Sequence, residues 1–133
     1  MSTSHPTVEL VRQIVALRRV RDAVESTAER RRLARVIRQL RLGLGVGIPK
    51  RQAAAALGVT VQALDRWIAA GRIPVVRRPG SSRELIDAEA LLLLAGEVER
   101  LREQGEVRML GKAIARLGEG RRPPRRLRPN QPA

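Results

Sequence analysis

The chain has 133 residues, with 27 Lys and Arg against 13 Asp and Glu, a net charge of +14 and no cysteine. That length suits one domain of ordinary size with extensions. The missing cysteines exclude a disulfide framework and a thiolate zinc site, and a pI near 11.9 favours an anionic partner, most often nucleic acid.

Nearly all the positive charge is arginine, with Lys50 and Lys112 the only lysines. Arginine binds phosphate and guanine edges bidentately, which lysine does not. An excess of arginine and alanine also follows from a GC-rich genome. Charge is uneven along the chain. Met1 to Gly45 has ten basic and four acidic residues, and Val46 to Asp87 has seven and three. Ala88 to Gly120 has five and six, and Arg121 to Ala133 has five and none. The near-neutral third segment is a poor nucleic-acid face. No apolar stretch of a signal peptide stands in the first thirty residues, and the run from Ala90 to Gly96 is too short to span a bilayer. A soluble, cytoplasmic protein with no membrane association is expected.

Residues 1–45 read as an N-terminal helical extension. Leu10, Ile14, Leu17 and Val24 share one face, with Val11 and Val20 close by. Ser26-Thr27-Ala28-Glu29 has the capping-box pattern and starts a second helix, with Leu33, Val36, Ile37 and Leu40 on one side. The break lies between Asp22 and Ser26, and one long helix is the alternative to a helical hairpin. This pair is expected to be an accessory that packs on the rest or holds a protein partner, and not a DNA contact. Gly43 to Pro49, "GLGVGIP", reads as a loop, with Pro49 in the first turn of the next helix. A phosphate loop requires Lys-Ser/Thr after its last glycine, and Ile48-Pro49 follows instead.

Residues 46–104 form the central unit. Lys50 to Leu57 is a helix; Gly58 supplies a positive-φ turn and Thr60 caps a second helix, Val61 to Ala70. Leu64, Trp67 and Ile68 fall on its core face, and Gln62, Asp65, Arg66 and Ala69 on the other. Val75-Val76 and Leu85-Ile86 flank "PGSS" and predict a two-stranded hairpin with arginines near its tip. Asp87 caps a closing helix whose Leu91, Leu94, Val98 and Leu101 repeat at 3-4-3 spacing. That seam serves either packing within the chain or a homodimer through the 88–104 helix. Residues 105–120 give one more weak helix, and the proline- and arginine-rich 121–133 a disordered basic tail.

Helix, turn, helix, "GRIP", basic hairpin, helix: this order resembles the winged helix-turn-helix of the MerR and excisionase-like family. The matching residues are Ala53-Ala54, Leu57-Gly58-Val59-Thr60, Leu64, Trp67-Ile68, Gly71-Arg72-Ile73-Pro74, Arg83 to Ile86 and Asp87. The N-terminal helices lie outside that pattern. The resemblance implies a mainly α fold, a winged helix-turn-helix with a small two-stranded hairpin, and double-stranded DNA as partner. It implies DNA-facing roles for Lys50, Arg51, Thr60, Gln62 and Arg66, and for Arg77, Arg78 and Arg83 in the wing. An aspartate such as Asp65 on that face is repelled by phosphate unless it pairs with Arg66 or accepts from a cytosine amine. A bacterial transcriptional regulator is the first expectation. An antitoxin that holds its toxin through the extra helices, or a phage excisionase that bends DNA, are the alternatives. An RNA-binding role has only Trp67 for base stacking. Glu97, Glu99 and Glu103 read as a solvated helix face. With no nucleophile–base pair and no metal-ligand cluster, neither an enzyme nor a cofactor is expected.

Overall fold

A computed structural model describes residues 5–105 and 109–120. It is mainly helical, with six helices and a small three-stranded antiparallel sheet among the described residues. The expected tail, 121–133, lies outside them.

Helix α1 (Pro6–Ala23) starts with proline in its first turn, and His5 Nδ1 accepts the Thr7 N–H at 3.0 Å. The helices are separate: α2 (Thr27–Leu42) is capped by Ser26, whose hydroxyl accepts the Glu29 N–H at 3.3 Å. The other half of the capping box is not formed, because the Glu29 carboxylate lies 3.6 Å from Arg32. The two helices pack as a hairpin. Helix α1 buries Val8, Val11, Ile14 and Val15, while Leu10 and Leu17 are half-buried and Val20 is exposed. Its apolar stripe is therefore turned from the expected one, because α1 is covered by α2 on one side and by later helices on another. Helix α2 meets little besides α1. It buries Ile37 alone and leaves Val36 exposed.

The segment expected to be a plain loop contains a strand, β1 (Gly47–Pro49). It joins β2 (Val75–Val76) and β3 (Leu85–Asp87) in the order β1-β3-β2, so the sheet has three strands where two were expected. Ile48 faces Ile86 on one side of β3, and Val75 faces it on the other. Pro49 is accordingly the last strand residue and the N-cap of α3 (Lys50–Leu57), not part of its first turn. Gly47 is set by close approach: a Cβ there would stand 2.7 Å from both Leu85 Cβ and Val76 Cγ2. A three-residue strand is too short to show an alternation, and two of its residues are the usual marks of a turn.

Helix α3 buries Ala53, Ala54 and Leu57; the two alanines are small and let α1 and the later helix α5 lie close. Gly58 takes the expected left-handed conformation, φ +74°. Thr60 caps α4 (Val61–Ala69), its Oγ1 accepting the Ala63 N–H at 3.0 Å. Leu64 is fully buried, whereas Trp67 and Ile68 are only partly covered. Asp87 caps α5 (Ala88–Glu103), accepting the Ala90 N–H at 2.9 Å. Leu91, Leu94, Val98 and Leu101 are at most 4% exposed within the single chain. The seam that could have joined two copies is therefore used up internally. Helix α6 (Met109–Gly120) lies along α5 and buries Leu110, Ala113 and Ile114. One core runs through all of this, from Val11 and Ile14 through Leu57 and Leu64 to Leu91 and Ile114. No described helix is long and apolar enough to cross a membrane.

Candidate nucleic-acid interface

Local sequence places the side chains of interest. The αL turn at Gly58 ends α3, and the Thr60 cap begins α4 at once, so α4 leaves α3 at a fixed angle. Burial of Leu64 then turns Gln62, Asp65 and Arg66 to solvent. The hairpin rises from β2 and β3 and carries Arg77, Arg78 and Arg83, all exposed. Between the start of α3, the start of α4 and this hairpin lies an open cleft. It is lined by Lys50 and Arg51, by Val61, and by Arg77, Arg83 and Glu84.

Four of the eight sequence-predicted residues, Lys50, Arg51, Arg77 and Arg83, are thus brought to one cleft. Gln62, Arg66 and Arg78 are exposed outside its lining. Thr60 is engaged as a cap through its oxygen, and its hydroxyl hydrogen is still able to donate.

The cleft holds a charge network that sequence reasoning missed. Lys50 Nζ lies 2.9 Å from Asp65 Oδ1 and 3.1 Å from Glu84 Oε1, and Arg77 is 3.2 Å from Glu84 Oε2. Asp65 therefore pairs with Lys50, not with Arg66. The hydrogen bonds from Lys50, first to Asp65 and then to Glu84, hold its pKa above the ordinary lysine value. Two of the expected phosphate ligands are consequently matched by two carboxylates. Glu84 sits seven residues from Arg77 across the hairpin turn, and that pairing was open to deduction once the hairpin was drawn. The Lys50 pairs join three separate elements and had no signal in the sequence.

Arginines elsewhere show what is unusual here. Among the described residues, ten arginines reach a carboxylate. Arg18 and Arg41 share Glu89, and Arg19 pairs with Glu103 through its two terminal guanidinium nitrogens. Arg30 donates to the Val24 carbonyl. Eight have neither, and five of these, Arg51, Arg66, Arg72, Arg78 and Arg83, belong to the α3–α4–hairpin unit. All five are exposed. Comparison of the chain with family models, curated proteins and solved structures finds no match, so the reading of this surface stands on its residues and their geometry.

Proposed function

We propose that this protein binds double-stranded DNA as a winged helix-turn-helix and acts as a transcriptional regulator. In this reading α3 and α4 are the two helices, α4 enters the major groove, and the β2–β3 hairpin is the wing. Phosphate contacts from Arg51, Arg78 and Arg83 position the unit, and Arg66 with Gln62 reads base edges. The observation that carries the reading is the set of five exposed arginines without acidic partners on one compact unit. Arginines that serve folding are normally tied to carboxylates, as most of the others here are. Like charges on one small unit repel one another, and an anionic partner offsets that repulsion.

The test is a binding titration on a selected site and on scrambled DNA. Arg66→Ala is expected to cost about 1–3 kcal/mol of discrimination between the two, with a small change in salt dependence. Equal weakening on both DNAs would mean that α4 does not read bases.

A further inference from the structure

By sequence α2 is an accessory without a role in DNA contact. Its outward face suggests otherwise. Arg31, Arg35 and Arg38 stand at i, i+4 and i+7, so they form one ridge along the helix. The buried side of α2, with Ile37 at its centre and Leu33 and Leu40 half-covered beside it, is turned toward α1. The ridge lies on the far side and all three arginines are exposed. None has a carboxylate or carbonyl partner among the described residues. These are the three unpartnered arginines that do not belong to the α3–α4–hairpin unit.

An arginine-rich composition accounts for their number but not for this division. The same helix supplies a contrast. Arg32 is paired with Glu29, Arg30 with the Val24 carbonyl, and Arg41 with Glu89 and the Gly45 carbonyl. Arginines on the sides of α2 are engaged, and those on its crest are free.

We infer that the Arg31–Arg35–Arg38 ridge is a second phosphate-binding surface, which grips the backbone of duplex DNA without reading its sequence. This rests on the DNA-binding reading of the α3–α4 unit. Seven residues of helix rise about 10 Å, and a DNA strand carries one phosphate per ~3.4 Å of axis. Three guanidinium groups on a ridge of this length can engage at most three phosphates. An acidic protein partner is the lesser fit, because protein interfaces have an apolar centre. Leu42, 73% exposed, is the only large apolar side chain on this face and stands at its end.

The full-length chain carrying Arg31→Gln, Arg35→Gln and Arg38→Gln together tests the inference. These side chains are exposed and tied to no other group, so the thermal midpoint should match that of the unmodified chain. Binding is titrated at several salt concentrations on a random-sequence duplex and on a selected site, with Arg66→Ala measured alongside. The expected result is a shallower slope of log K against log salt, by about 0.9 for each phosphate that the ridge no longer grips, up to about 2.7. The preference between the two duplexes should be unchanged. An unchanged slope overturns the inference, and an unchanged slope with loss of binding to poly-glutamate assigns the ridge to an acidic protein instead. Failure of the α4 reading is recorded separately, as an Arg66→Ala variant that keeps full discrimination. An unmodified chain that binds neither duplex overturns both.

Discussion

At the scale of single residues, Gly47 and Asp65 illustrate opposite kinds of constraint. Gly47 is held by space: any Cβ meets Leu85 Cβ, which the backbone fixes, and Val76 Cγ2, both at 2.7 Å. Gly47→Ala must push β1 away from β3, and overpacking of this kind costs about 1–3 kcal/mol. Chemical denaturation should show a lower midpoint, and an unchanged midpoint would mean that β1 is not seated as described. Asp65 is held by charge, and its pair with Lys50 is half-exposed. Such pairs contribute only about 0–1 kcal/mol, so Asp65→Asn should leave stability nearly unchanged. Its effect belongs to binding. Removing a carboxylate beside the proposed phosphate contacts, and loosening Lys50, should raise affinity for all duplexes and steepen the salt slope by up to about 0.9. Loss of preference at a single cytosine would instead identify Asp65 as a base reader.

At the scale of elements, α1, α2 and α5 are joined through one carboxylate. Glu89, in the first turn of α5, takes two hydrogen bonds from Arg18 of α1 at 2.9 and 3.0 Å and one from Arg41 of α2 at 3.4 Å. Partial burial pushes its pKa up, but the hydrogen bonds and charges of Arg18 and Arg41 outweigh this and hold it below the ordinary 4.5. A carboxyl with a lowered folded pKa contributes stability above its unfolded value, and loses it as pH falls through the folded one. Acidification below about pH 4.5 should therefore weaken the attachment of the helical hairpin to α5. Glu89→Gln should lower stability at neutral pH and flatten this acid limb. Urea midpoints measured across the range check it, and an unaltered acid limb would show that Glu89 does not link the three helices.

At the scale of the whole molecule, the N-terminal helices are part of the core. Val11, Ile14 and Val15 of α1 are buried beside Ala53 and Ala54 of α3 and Leu91 of α5. Burial of such side chains contributes about 1.5–3 kcal/mol each, and a domain has only about 5–15 kcal/mol in total. A chain lacking residues 1–45 should therefore lose cooperative unfolding, and circular dichroism during a thermal melt would record it. A sharp melt with sequence-selective DNA binding retained would return α1 and α2 to the accessory role expected from the sequence.

Local events were legible in the order of residues alone. Ser26, Thr60 and Asp87 cap helices, Gly58 turns, and Leu64 goes inside, because caps, turns and helical periodicity act over three to four residues. The hairpin between Val75 and Asp87 belongs with these, since its strands are near neighbours in the chain. The remainder depended on how the elements pack. The third strand exists because β3 has a free edge and Gly47 has no side chain to block it. The seam of α5 closes within the chain because α6, α1 and α3 pack against that helix. Lys50 meets Asp65 and Glu84 across gaps of fifteen and thirty-four residues, a pairing set by how α3, α4 and the hairpin pack. The same packing separates arginines that hold the fold from arginines left free. Composition counts both alike, because charge is a property of the residue and partnership a property of the neighbours that folding brings to it.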